Sequence, residues 1–133
     1  MTILLLEDES CVMRLLWHML KPHTLLEATS AEQALRLFSE HYGGIDLLIA
    51  DVTLPVGTGI QVALSLRTQS PSLPVVLTSG YPVSAMSGQN IADLHRLGTD
   101  RIIFVTKPFQ PGLLEKAVRE LIETSPSHRT SAA

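Results

Sequence analysis

Four runs of the chain are almost wholly apolar: Ile3–Leu6, Ile45–Ala50 (interrupted only by Asp46), Val75–Leu77 and Ile102–Val105. Continuous runs of this length predict strands buried on both faces. Thr24–Leu26 is shorter and more polar, which suits a strand at a sheet edge. Between these runs the apolar period changes from continuous to helical. Val12, Leu15, Leu16 and Met19 recur on one face of a first helix. Ser30 and Gln33 form a capping box for a second, whose Ala31, Ala34, Leu35 and Phe38 share a face and which Gly43-Gly44 ends. Pro55–Gly59 reads as a loop, and the helix after it turns Ile60, Ala63 and Leu64 inward. Pro71 and Pro74 bracket the turn into Val75–Leu77. Pro111 stands near the first position of the last helix, which carries Leu114, Ala117, Val118 and Leu121 on its apolar face. The segment Tyr81–Leu97 fits least well. Ser84, Ser87, Gly88, Gln89 and Asn90 dilute its periodicity and only Ile91 and Leu94 point inward, so a long loop and a short fourth helix are expected.

Alternating strands and helices imply parallel strands joined by right-handed crossovers. With the polar strand at an edge, the expected fold is α/β: a flavodoxin-like three-layer (βα)5 sandwich whose five-stranded parallel sheet has the order 2-1-3-4-5. Its switch point falls between the first and third strands, where Asp8 and Asp51 would meet. The 133 residues fit one domain. Ser125–Ala133 has no apolar residue beyond alanine and is expected to be disordered, as a native terminus or a linker remnant.

Composition narrows the function. A hydrophobic content of 45% with 17% charged residues describes a folded core. The net charge of −3 and the absence of any basic run longer than two residues argue against direct nucleic-acid binding. Cys11 stands alone, which excludes an internal disulfide and suits a reducing compartment; it reads as a small residue near a helix start. No signal peptide and no stretch of membrane-spanning length are visible, so a cytoplasmic location without membrane contact is expected. His18, His23, His41, His95 and His128 lack metal-ligand spacing and read as surface or packing residues.

The chemistry gathers where the apolar runs stop. Glu7-Asp8, Asp51, Ser79-Gly80 and Lys107-Pro108 each end one. In an open parallel sheet, ligands bind at the carboxyl ends of the strands. Carboxylates brought together there repel unless a cation joins them. Hard oxygen ligands suit magnesium, or manganese in its place. Glu7, Asp8 and Glu9 could merely complement the positive end of the next helix, but Asp51 on the neighbouring strand makes a metal site the better reading. Asp46, Asp93 and Asp100 lack such company and read as surface or turn residues. Lys107 can act as a point charge for an anion's oxygen, and Ser79 can donate to another. Gly80 leaves room for a bulky group, and Pro108 shapes a turn that is compatible with a cis bond.

In this order, the segments LLLEDE, IADVTLPVGTG, VVLTSGYP and FVTKPF resemble the receiver domain of two-component response regulators over about Thr2–Ile122. The TSGYP and TKPF forms are most similar to receivers fused to sensor histidine kinases. The resemblance implies a receiver domain over residues 1–124. It implies that Asp51 is the phosphoacceptor, that Asp8 holds magnesium directly and Glu7 through water, and that the backbone carbonyl of Thr53 supplies a further ligand. Ser79 would be the switch hydroxyl, and Lys107 would bind a phosphoryl oxygen. Phe104 falls at the switch aromatic, three residues before the lysine; it lacks the hydroxyl of the tyrosine often found there and could equally be core. Thr53 and Tyr81 would flank the approach of water to the acyl phosphate. Neither carries a carboxylate or amide to orient that water, and Tyr81 is bulky, so a long-lived phosphoryl group is expected.

The implied partners are a histidine kinase or a histidine phosphotransfer domain, an output partner that the sequence does not name, and a second copy on phosphorylation. The interval from Ser79 to Lys107 is longer than in compact members, and the extra residues fall in Tyr81–Leu97 beside the family's usual partner face; the low helical propensity there implies mobility, so no standard dimer geometry is carried over. No DNA-binding or enzymatic output domain is expected after the last helix. Such a domain catalyses its own phosphorylation and dephosphorylation and is not a conventional turnover enzyme. Two other readings compete. An aspartate-nucleophile phosphatase of the haloacid dehalogenase type needs a second Asp where Thr53 stands. A degenerate receiver that only binds a partner usually loses an acid, the acceptor or the lysine, all of which are present.

Overall fold

The computed structural model describes residues 1–110 and 112–123. The expectations placed on Pro111 and on the tail Ser125–Ala133 lie outside the described residues. The elements are β1 (Thr2–Leu6), α1 (Ser10–Met19), β2 (Thr24–Ala28), α2 (Ala31–Glu40), β3 (Leu47–Asp51), α3 (Gly59–Gln69), β4 (Val75–Ser79), a 3-10 turn at Val83–Ala85, α4 (Gly88–Leu97), β5 (Ile102–Thr106) and α5 (Leu113–Glu123). The strands form one parallel sheet in the order β2-β1-β3-β4-β5. This is the flavodoxin-like (βα)5 arrangement, with the more polar β2 at an edge.

Alternation of side chains along the strands divides the core between two layers. Leu4 and Leu6 of β1 face a layer built with Ala34 and Phe38 of α2, Ile60, Ala63 and Leu66 of α3, and Leu97 of α4. Ile3 and Leu5 face the opposite layer, with Met13 and Leu16 of α1 and Leu114, Val118 and Leu121 of α5. β3 and β4 are buried at every position. Burying one such aliphatic side chain contributes about 1.5–3 kcal/mol. A one-residue slip would move each strand's side chains into the wrong layer, so the register is tightly held. That register pairs Leu6 with Ala50 and Asp51 with Thr78, which brings the residues after β1 alongside the end of β3.

Several local expectations are refined. β3 begins at Leu47, two residues later than the apolar run; just before it, the Asp46 carboxylate accepts from Thr2 N–H and Asp46 N–H donates to Thr2 O, both at 2.8 Å. The expected cap of α2 forms, with its return bond shifted by one residue: Ser30 Oγ accepts from Gln33 N–H at 3.1 Å, while Gln33 Oε1 accepts from Thr29 N–H at 2.9 Å rather than from the N–H of Ser30. Leu15, expected on the inner face of α1, is exposed, and Met13 is buried in its stead.

The largest departure is α4. It runs ten residues, as long as α1 and α2. Ser87, read as diluting the helix, caps it by accepting from Asn90 N–H at 3.1 Å. Asp93 is also not a surface residue: it is 2% exposed on the inner side of α4. Its Oδ1 accepts from Gln89 Nε2 at 3.0 Å and lies 3.5 Å from Arg96, its neighbours one turn away on either side. Asp100 lies in an exposed turn, as expected.

Candidate functional site

Glu7 follows β1, Asp51 ends β3, Ser79 ends β4 and Lys107 follows β5. Backbone bonds fix these ends against one another. Glu7 N–H donates to Ala28 O at 3.0 Å, Val52 N–H to Thr78 O at 2.8 Å, and Lys107 N–H to Ser79 O at 2.7 Å. The peptide between Lys107 and Pro108 is cis.

The side chains converge. Lys107 Nζ donates to Asp51 Oδ2 at 2.7 Å and to Glu7 Oε1 at 2.8 Å. The other Asp51 oxygen accepts Thr53 N–H at 3.0 Å, and the other Glu7 oxygen accepts Glu9 N–H at 3.1 Å. Glu7 is 1% exposed and Asp51 4%. Asp8 is exposed. Ligand atoms of Glu7, Asp8 and Asp51 all lie within 4.8 Å of one another, the spacing that one cation can bridge. Asp8 and Asp51 border a cavity of about 480 Å³ whose walls also include Thr53, Gly80, Tyr81 and Lys107.

The electrostatics follow from this packing. Lys107 pairs with two carboxylates, Glu7 and Asp51, and Asp8 stands beside them, so the acids outnumber the lysine. Burial raises the Glu7 pKa above its ordinary value; the bonds from Lys107 and Glu9 oppose this, while the charge of Asp51 reinforces it. Burial by itself would lower Lys107, but its bonds to Asp51 and Glu7 outweigh that and hold it above the ordinary lysine value. A hard divalent cation fits the donor set because all three side chains offer carboxylate oxygens.

Two expected participants stand back. Ser79 is fully buried and bonded to the backbone of Tyr81, donating to its carbonyl at 2.9 Å and accepting from its N–H at 3.1 Å. Phe104 is half-buried on β5 and packs in the layer of α2, α3 and α4, together with Tyr81, Ile91 and Leu94. Gly80 does border the cavity, and a methyl group built there would meet open space.

Sequence reasoning missed two supports. Gly59 opens α3 directly beneath Asp51: a Cβ there would run into the Asp51 carbonyl oxygen and lie 3.0 Å from Ala50 Cβ. The spacing Asp51-x7-Gly59 shows a glycine after a loop but not this close approach. Arg67 fastens the opposite end of the sheet, donating to Leu73 O at 3.0 and 2.8 Å and to Asp100 O at 2.8 Å. Nothing in its local sequence distinguishes it from a surface arginine.

The model of the response regulator receiver domain matches residues 3–119. The sensor kinase CckA of Brucella abortus is 31% identical over 126 residues, covering 92% of this chain and 12% of that protein. The probable transcriptional regulator ycf27 of Pyropia yezoensis is 30% identical over 132 residues, covering 97% of this chain and 50% of its own length. This chain thus spans half or less of these two relatives. Among solved structures, the signal receiver domain of an HD domain-containing protein from Pseudomonas fluorescens Pf-5 superposes with a TM-score of 0.81 at 28% identity, covering 97% of this chain and 91% of that one.

A parallel sheet of this order with acids and a lysine at its carboxyl end defines a phosphoryl-accepting receiver fold. The chain belongs to the response regulator receiver domain family. Its Glu7, Asp8 and Asp51 cluster is positioned to coordinate a divalent cation and to accept a phosphoryl group, the chemistry of phosphorelay signalling. Domains of this kind catalyse their own phosphorylation and dephosphorylation and are not turnover enzymes. Among the described residues, no helix is long and apolar enough to cross a membrane.

Proposed function

We propose that the Asp51 carboxylate accepts a phosphoryl group from a phosphohistidine donor, with magnesium or manganese at the acid cluster, and that the acyl phosphate switches a surface read by a partner. The observation that carries this reading is the setting of Asp51. It is buried, one oxygen is held by Lys107 and the other by the Thr53 amide, and Glu7 and Asp8 stand beside it. A carboxylate oxygen of Asp51 attacks phosphorus, the phosphorus–nitrogen bond breaks, and the imidazole leaves with the electron pair. Lys107 then serves a phosphoryl oxygen, and Ser79 donates to another.

Asp8 would hold the metal directly, since it is exposed. Both Glu7 oxygens already accept hydrogen bonds, which supports contact through water. The Thr53 carbonyl would complete the protein's share. When bound, the cation offsets the negative charge that gathers on the transferred group.

The likeness to the CckA sensor kinase supports a histidine kinase, or a histidine phosphotransfer domain, as the donor. Phe104 and α4 lie in one packed layer with Tyr81, which supports a path from Ser79 to the surface around α4 and β5. That surface would carry the output, with a second copy as one occupant. Thr53 and Tyr81 border the cavity without a carboxylate or amide, which supports slow hydrolysis. Thr53 also lacks the carboxylate that a dehalogenase-type phosphatase needs at its position.

Acetyl phosphate with magnesium, followed by borohydride reduction and peptide mapping, tests the assignment. Homoserine at position 51 is expected. Modification elsewhere, with position 51 intact, would contradict it.

A further inference from the structure

Tyr81 is bonded through both its backbone and its side chain. Its carbonyl and N–H engage the Ser79 hydroxyl at 2.9 and 3.1 Å. Its phenol oxygen lies 3.2 Å from Thr53 Oγ1, a bond between the loop after β4 and the loop after β3. Thr53 in turn donates its N–H to Asp51 Oδ1 at 3.0 Å. Separate hydrogen bonds thus link Ser79 to the Tyr81 backbone, the Tyr81 phenol to the Thr53 hydroxyl, and the Thr53 amide to Asp51.

A serine hydroxyl has a single proton to donate. While Ser79 gives it to the Tyr81 carbonyl, none remains for a group on Asp51. Turning Ser79 toward Asp51 also strips the Tyr81 N–H and carbonyl of their partner, so the turn from 79 to 81 must change shape. The bond from the Tyr81 phenol to Thr53 resists that change, because it ties the far side of the residue to a second loop. Tyr81 packs against the same core layer as Ile91 and Leu94 of α4 and Phe104 of β5, so a move of its ring is felt in the layer those elements share.

We propose that Tyr81 is a latch: its phenol, held by Thr53, keeps the Ser79 hydroxyl parked on the Tyr81 backbone until a group on Asp51 draws it away. This makes Tyr81 a positioning residue that opposes the switched state, and it rests on the reading of Asp51 as acceptor. Thr53 and Tyr81 both line the cavity at Asp51, so the latch lies at the site it controls.

Tyr81→Phe keeps the ring and removes the bond, and Thr53→Val removes it from the other side. In the unphosphorylated protein, amide exchange at position 81 reports the Ser79 contact without any chemistry at Asp51. A neutral hydrogen bond of this kind sets the scale, so exchange should quicken about two- to tenfold in either variant. Binding of beryllium fluoride with magnesium, a phosphoryl mimic, should tighten by a similar factor, since the ligand no longer works against the latch. The double variant should go no further than either single one. Tyr42→Phe, whose phenol donates to Gln69 O at 3.3 Å in a different region, should leave position 81 unchanged.

Wild-type exchange at position 81 in both single variants would overturn the latch. So would additive effects in the double variant, which mean that the two hydroxyls act independently. If beryllium fluoride binds no form of the protein, the reading of Asp51 fails, and the exchange result still decides the latch.

Discussion

Replacing Lys107 by Met removes the one cation shared by two buried carboxylates. Lys107 Nζ lies 2.8 Å from Glu7 and 2.7 Å from Asp51, and those side chains are 1% and 5% exposed. Breaking a buried ion pair by deleting one partner costs about 3–5 kcal/mol, because a charge is left uncompensated. Two features reduce this here. The lysine side chain is 16% exposed, so water can replace part of what it supplies. Burial also raises the Glu7 pKa, so Glu7 can relieve the repulsion by taking a proton. A loss of about 2–3 kcal/mol at pH 7 follows, or roughly 10 °C in Tm for a domain of this size.

The pH dependence has a definite sign. In the wild type, a raised Glu7 pKa means that the native state retains a proton the unfolded chain has released. Its contribution is present in full below the ordinary glutamate pKa and is lost as pH rises through the raised value. Lys107 behaves alike at the alkaline end: its contribution holds below the ordinary lysine pKa and is lost as pH passes its raised value. Without Lys107, Glu7 is pushed higher still, so the deficit of the variant should be full at neutral pH and shrink on acidification. Urea unfolding of both proteins across this range, without divalent metal, reads the difference. A Lys107→Met midpoint within about 0.5 kcal/mol of wild type at pH 7, the scale of an ordinary surface substitution, would refute the shared-lysine reasoning.

Other outcomes follow from the same geometry. Asp8→Ala should weaken magnesium binding and phosphorylation together while Asp46→Ala changes neither; titration of the single tryptophan, Trp17, which shares a hollow with Glu7 and Asp8, gives the affinity. Gly59→Ala should displace the Asp51 carbonyl, lowering Tm and the phosphorylation rate in parallel; calorimetry and acetyl phosphate labelling measure the two. Arg67→Met withdraws donors from the Leu73 and Asp100 carbonyls and should cost about 2–3 kcal/mol in urea unfolding while phosphorylation persists.

The sheet order and the place of the site were legible in the sequence because both depend on where buried strands stop. A strand covered on both faces is mostly apolar, so Glu7 and Asp51, directly after two such runs, and Ser79 and Lys107, one threonine beyond two others, stood out. α4 was harder to read. Its Ser87 is polar because its hydroxyl caps the helix by accepting from the Asn90 backbone N–H, and polarity at a cap resembles polarity in a loop. Asp93 was misread because a carboxylate can be buried when Gln89 and Arg96 lie one turn away, an arrangement that exists only once the helix does. Gly59 and Arg67 act on backbone atoms of other segments, and side-chain patterns do not record such contacts. The bond between Thr53 and Tyr81 joins residues 28 apart and appears only when the loops after β3 and β4 come together.

Intact-mass measurement after incubation with phosphoramidate and magnesium tests the central claim most directly. Wild type should gain one phosphoryl group, and Asp51→Asn should gain none. A wild type that takes none under these conditions, or an Asp51→Asn variant that labels fully, would contradict the account.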